Sequence, residues 1–127
     1  MAIQHEILIN QVLLALGSEP DIQVWRTEVG LFRMLHSQRV ITIGPVGMGD
    51  IAGVLAPHGQ FFCVEVKTGN QSLRKSQIKF REWIERRGAV WVTAWSVDDA
   101  LRGLAPHRTA MIVKRRARRE AWPRDGV

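Results

Sequence analysis

Three side chains in this 127-residue sequence stand out for the chemistry they could do together: Asp50, Glu65 and Lys67. Side chains alternate along a strand, so in the strand-like run 60–67 Glu65 and Lys67 share one face, while Val64 and Val66 point the other way into apolar packing. Ala56-Pro57-His58-Gly59 reads as a hairpin loop between this run and the strand-like run 50–55. Leu55 then pairs with Gln60, and counting outward brings Asp50 opposite Glu65. Directly opposed side chains stand about 5 Å apart on one face. Two carboxylates that close repel, and a cation between them relieves the repulsion. A hard, oxygen-seeking Mg²⁺ or Mn²⁺ is the expected occupant. Lys67, one pleat further on, is placed to meet both an attacking water and a phosphate. Phosphodiester hydrolysis needs a cation-activated water and stabilisation of the negative charge that develops at phosphorus. A register slip of one residue would throw the acids onto opposite faces.

The elements that must position these residues follow from periodicity. Residues 3–16 read as a helix with Ile3, Ile7, Asn10, Leu13 and Leu14 on one face, stopped at Gly17. Strand patterns cover 22–26 and 89–95, and a hairpin is expected from 29–35 and 39–43 around His36-Ser37-Gln38. Ser72 opens a helix that ends near Gly88. Its inward stripe is Leu73, Gln77, Phe80 and Ile84, with Gln77 the one polar member. A buried amide needs partners, and Lys67 or the scissile phosphate could provide one. Ser96 begins a short helix at capping-box spacing from Asp99, and 111–113 reads as a last short strand. The order implies a single α/β domain with a mixed central sheet flanked by helices.

Gly49-Asp50-Ile51, the fifteen residues from Asp50 to Glu65-Val66-Lys67, and Gln77 beyond them together resemble the virus-type replication-repair nuclease (VRR-NUC) domain. That family belongs to the PD-(D/E)xK nuclease superfamily. The resemblance runs from about Glu6 to Trp95, with Trp25-Arg26 and Gly30 included. It implies a restriction-endonuclease-like core, with Asp50, Glu65 and the Val66 backbone carbonyl as ligands of Mg²⁺ or Mn²⁺. Lys67 is then the catalytic lysine and Gln77 its supporting helix residue. Glu6 matches a first-helix glutamate found near this site in related resolvases, or else it caps a neighbour. The activity implied is metal-dependent endonucleolytic cleavage of DNA, structure-selective for Holliday junctions or other branched forms, by a homodimer. Gly49 stands where the superfamily name has proline, and Thr27-Glu28 stand where many relatives are asparagine-rich. A reading from another class is a non-catalytic DNA-binding or nuclease-assembly module on the same fold.

Charge distribution bears on the partner. The net charge is +6. Residues 72–87 carry six basic and two acidic side chains, and 114–127 carry the same, so each block contributes +4. Arg26, Arg74, Lys75 and Lys79, with Lys114, Arg115, Arg116, Arg118 and Arg119 of the tail, are the expected contacts to DNA phosphates. A solvated helix face and a basic tail would look the same in sequence. The expected layout is therefore a domain over 1–113 and a basic tail over 114–127.

The remaining features are read plainly. Cys63, the one cysteine, excludes an intrachain disulfide and is expected in the core. His5, His36, His58 and His107 show no metal-ligand spacing. Gly47 and Gly49 either bring the backbone close to a ligand or serve a turn with unusual dihedrals. The Gly44–Gly53 region lacks the Gly-Lys-Ser/Thr ending of a phosphate-binding loop. Trp25, Phe32, Trp91 and Trp95 supply apolar material for a core or a dimer contact. No basic start of a secretory signal and no apolar run of membrane length is present, so a cytoplasmic location is expected, that of the bacterial host if the chain is phage-encoded.

Overall fold

The computed structural model describes residues 2–28, 30–33 and 35–108. The expected strand at 111–113 and the tail residues Lys114, Arg115, Arg116, Arg118 and Arg119 lie outside them. The hairpin forms in the register that the loop length demands. Strand β4 (Ile51–Leu55) and strand β5 (Gln60–Val66) are antiparallel, paired from Leu55 with Gln60 to Ile51 with Val64. One step beyond the last pair stands Asp50, whose N–H donates to the Val64 carbonyl at 3.0 Å.

Around this hairpin the sheet is completed from both sides. Strand β1 (Ile22–Arg26) runs antiparallel to β4, and strand β6 (Val90–Ala94) runs parallel to β5. The order is therefore β1-β4-β5-β6. A parallel neighbour needs a crossover connection, and helix α2 (Lys75–Glu85) supplies it. The second expected hairpin, β2 (Gly30–Arg33) with β3 (Val40–Ile43), forms a separate two-stranded sheet. Among the described residues no helix is long and apolar enough to cross a membrane.

Alternation along β5 divides the interior into two layers. Phe62, Val64 and Val66 pack with Ile9, Val12 and Leu16 of helix α1 (Ala2–Gly17) and with Ala100 and Leu104 of helix α3 (Val97–Leu104). Cys63 faces the other way, with Ala52 of β4 and Ile84 of α2. Of the expected inward stripe of α2, Gln77 and Ile84 are buried and Phe80 is half-buried, while Leu73 precedes the helix, which starts three residues later than Ser72 suggests. Ser96 caps α3 as its spacing indicates, its Oγ accepting the Asp99 N–H at 3.0 Å.

Helix α1 departs from the simplest reading of its pattern. The shared face of Ile3, Ile7 and Leu14 is turned to solvent, with exposures of 75%, 51% and 73%. The inward stripe is instead His5, Ile9, Val12 and Leu16, at spacings i, i+4, i+7 and i+11, with His5 half-buried and the rest fully buried. A helix apolar on more than one side has no unique inner face in sequence; packing on β1 and α3 chooses it.

The end of the described chain is fastened to β1 by charge. Arg108 donates from Nε to Asp21 Oδ2 at 2.8 Å, and from a terminal nitrogen to Asp21 Oδ1 at 2.6 Å and to Glu19 Oε1 at 2.7 Å. Removing one partner of a buried, hydrogen-bonded pair leaves the other charge stranded. Asp21→Ala should therefore lower unfolding free energy by about 3 kcal/mol. Asp98→Ala, which breaks an exposed i, i+4 pair with Arg102, should cost about 0.5 kcal/mol. Urea denaturation of both variants checks the contrast, and equal losses would mean the Arg108 pairs are not a buried clasp.

Burial pushes the Cys63 thiol up to about 12. Its neutral form is favoured in the fold, so this contribution is complete below the unfolded value near ~8.5 and is lost as pH rises towards the folded one. An aromatic disulfide reagent at pH 8 should label Cys63 slowly in the folded protein and rapidly in denaturant. Equal rates would show the thiol to be accessible.

Candidate active site

Asp50 sits at the mouth of the β4–β5 hairpin, held by its own backbone and by its neighbours. Thr27 N–H donates to the Asp50 carbonyl at 3.0 Å, and Thr27 Oγ1 donates to the Gly49 carbonyl. Gly49 has φ +97, and a side chain there would press on the Val64 carbonyl; Gly47 has φ +87 and lies against the Ser76 carbonyl at the start of α2. Of the two readings of these glycines, unusual dihedrals is the one the structure shows, and what they approach is protein backbone. The Asp50 carboxylate is thereby turned across the strand end, where its Oδ2 accepts the Val66 N–H at 2.9 Å.

Glu65 and Lys67 share a face, as alternation requires, and it is the face covered by α2. Lys67 Nζ stands 3.0 Å from Glu65 Oε2 and donates to Gln77 Oε1 at 3.1 Å. The exposures of Glu65, Lys67 and Gln77 are 4%, 6% and 4%, so this is a buried polar chain. Gln77 Oε1 also accepts the Arg74 N–H at 2.9 Å. One amide oxygen therefore satisfies the first turn of α2 and holds the lysine. Of the two partners the sequence allows for Gln77, Lys67 is the one it meets. Burial first, and the Asp50 charge second, push the Glu65 carboxyl up, against the opposing pull of Lys67 and Gln77. No described buried side-chain nitrogen or oxygen lacks a hydrogen-bond partner.

Glu6 does not join this cluster. Its two oxygens accept both terminal nitrogens of Arg26, at 2.6 and 2.7 Å, near the surface. Arg26 pulls the Glu6 carboxyl below the usual range, and Glu6 in turn holds the Arg26 guanidinium charged. Of the two readings for Glu6, capping a neighbour is the one the geometry shows. The residue in its place is His5, which has no sequence spacing to suggest a ligand. His5 Nε2 is 2.8 Å from the Val66 carbonyl oxygen and 3.5 Å from Asp50 Oδ2. Its membership of the inward stripe, four residues before Ile9, is the signal that could have found it.

The expected phosphate contacts on α2 lie on its outer side: Arg74, Lys75 and Lys79 are exposed. Arg87 is laid over the Trp83 ring, 4.0 Å from its centroid. Trp91 is half-buried against Phe80 and donates from Nε1 to Thr93 Oγ1, whereas Trp25 and Trp95 are partly exposed. Phe32 belongs to β2, and its side chain lies outside the described residues.

The donor chemistry fits a divalent cation. A carboxylate oxygen of Asp50 and the carbonyl oxygen of Val66 both lie beside His5 Nε2, at 3.5 and 2.8 Å, and oxygens of these two kinds are donors that a hard cation takes. Among the described residues, no three His, Cys, Asp or Glu side chains converge as a complete ligand set. Glu65 is drawn instead towards Lys67.

No protein-family model and no curated protein matches the chain. It is similar to a solved structure titled "VRR_NUC domain", at 20% identity and a TM-score of 0.48, over 84% of this chain and 95% of that one.

Proposed function

We propose that the protein is a divalent-metal-dependent deoxyribonuclease that hydrolyses DNA phosphodiester bonds at the Asp50–Glu65–Lys67 cluster. The observation that carries this reading is the placing of a buried Glu65–Lys67 pair one strand-step from two oxygens, Asp50 Oδ2 and the Val66 carbonyl, that both lie beside His5 Nε2. Asp50, Glu65 and the Val66 carbonyl would hold Mg²⁺ or Mn²⁺. A cation there supplies Lewis-acid polarisation of a phosphoryl oxygen and makes water a better nucleophile at neutral pH.

The protein's own groups do the rest. Lys67 is oriented by Gln77, so its ammonium is prepared for the charge that builds on phosphate oxygens. The basic outer side of α2 offers Arg74, Lys75 and Lys79 to the DNA backbone, and the segment 114–127 carries a further excess of positive charge. The narrower form of the proposal is cleavage of branched or four-way-junction DNA by a homodimer, since a symmetric double cut needs two sites and each chain has one.

One observation favours the alternative, a DNA-binding module without catalysis: Glu65 is already neutralised by Lys67. A cleavage panel of linear, flapped, forked and four-way-junction DNA with Mg²⁺ or Mn²⁺ separates the two. Asp50→Asn keeps an acceptor for the Val66 N–H and should lower the cleavage rate on the order of 10²-fold or more while leaving DNA affinity in place. Cleavage by this variant at the wild-type rate would sink the site assignment. DNA binding by the wild type without cleavage of any substrate would favour the binding module. Glu65→Ala or Glu65→Gln is a poorer probe than the sequence suggests, because it strands the buried Lys67 charge and should cost about 3 kcal/mol of stability.

The outer side of α2 is tested by salt. Replacing Lys75 and Lys79 together by alanine should reduce the slope of log affinity against log salt by about 1 to 2, through fewer released counterions. An unchanged slope would remove this helix from the DNA surface.

A further inference from the structure

We propose that His5 is itself a ligand of the divalent cation, completing a set with Asp50 and the Val66 carbonyl, and that its nitrogen tilts the site towards Mn²⁺ over Mg²⁺. This rests on the metal-dependent reading above and adds a residue and a selectivity to it. Nothing in the residue spacing assigns His5 this role; its place in the folded chain does.

The geometry is that of neighbouring ligands. Adjacent donors on an octahedron with metal–ligand bonds near ~2.1 Å lie roughly 3 Å apart. His5 Nε2 is 2.8 Å from the Val66 oxygen and 3.5 Å from Asp50 Oδ2, so each oxygen stands from the imidazole nitrogen at about the spacing of neighbouring ligands. The donors that meet here are two side chains and one backbone carbonyl; Glu65 is drawn towards Lys67, and no group of three ligating side chains is found among the described residues. The alternative donor on this helix, Glu6, is engaged with Arg26 through both oxygens.

The helix leaves His5 little choice of direction. Four residues on, Ile9 is fully buried against the sheet, with Val12 and Leu16 continuing the stripe. His5 therefore opens the inward face of α1 where it reaches the end of β5. With the cation absent, Nε2–H donates to the Val66 carbonyl. Ligation through Nε2 uses the tautomer with its proton on Nδ1. Imidazole nitrogen suits first-row transition metals, while Mg²⁺ prefers oxygen donors throughout. A site of one imidazole and several oxygens should accordingly discriminate in favour of Mn²⁺.

The test is binding rather than cleavage, on the full chain, with Mn²⁺ and Mg²⁺ titrated separately by calorimetry into wild type, His5→Ala, Asp50→Ala and Glu6→Gln. Electron spin-echo spectroscopy of the Mn²⁺ complex accompanies it, reading ¹⁴N modulation from a coordinated imidazole. His5→Ala should weaken Mn²⁺ binding about tenfold or more and Mg²⁺ binding by no more than about threefold. It should also abolish the ¹⁴N modulation that the wild type shows, while Glu6→Gln changes neither. If the wild type binds Mn²⁺ through Asp50 but shows no ¹⁴N modulation, or if His5→Ala binds as tightly as wild type, the His5 assignment is overturned and the nuclease reading stands. If the wild type takes up neither cation, the metal-dependent reading fails and this inference falls with it. The spectroscopic arm needs no substitution, so a variant that fails to fold does not shelter the proposal.

Discussion

The antiparallel pairing of β4 with β5 is the constraint on which the candidate site depends. With Leu55 against Gln60, the pairing reaches Ile51 and Val64, and Asp50 arrives at the strand end beside Val66 and Glu65. A shift of one residue would carry Cys63 and Glu65 into the layer now filled by Phe62, Val64 and Val66. The cost of burying a carboxylate in that apolar layer is what makes the register unambiguous. Thr27 and the left-handed glycines 47 and 49 then set the path by which the chain enters β4. Thr27 donates its hydroxyl to the Gly49 carbonyl.

Within that frame the polar chain Glu65–Lys67–Gln77 is costly. Removing an ammonium and a carboxylate from water takes several kcal/mol per ion, and apolar side chains of similar volume would often be as stable. Gln77 lowers the cost by giving Lys67 an acceptor in addition to Glu65. The same oxygen closes the first turn of α2, so loosening the lysine would also loosen the helix that covers it. Under the proposed nuclease reading this expense has a use. A lysine held in one direction before phosphate arrives needs no reorganisation when charge develops.

The two helices that flank the site contribute in parallel fashion from opposite faces of the sheet. Each presents one polar residue on an otherwise apolar inward stripe: His5 on α1 and Gln77 on α2. One approaches the Asp50–Val66 edge and the other the Lys67 side. The outer side of α1 is uncharged apart from Glu6, which pairs with Arg26, while the segment 72–87 that contains α2 carries six basic and two acidic side chains.

Sequence alone determined what depends on local period and count. The two-residue period of strands places Glu65 and Lys67 together, and the four-residue loop aligns Asp50 with them. The helical period marks Gln77 as the polar intruder on an apolar stripe. These inferences hold because the energetic penalty for violating them is local and large: a buried charge in the wrong layer, or an unpaired amide. What tertiary structure decided is which face of α1 turns inward, and hence that His5 rather than Glu6 reaches the site. Apolar residues lie on several sides of that helix, so its own sequence leaves the rotation undetermined, and contact with β1 and α3 settles it. The capture of Glu6 by Arg26 across twenty residues and the choice of Lys67 as the partner of Gln77 are likewise tertiary. Each depends on which charged groups the packed sheet brings within hydrogen-bonding distance, and spacing along the chain carries no record of that.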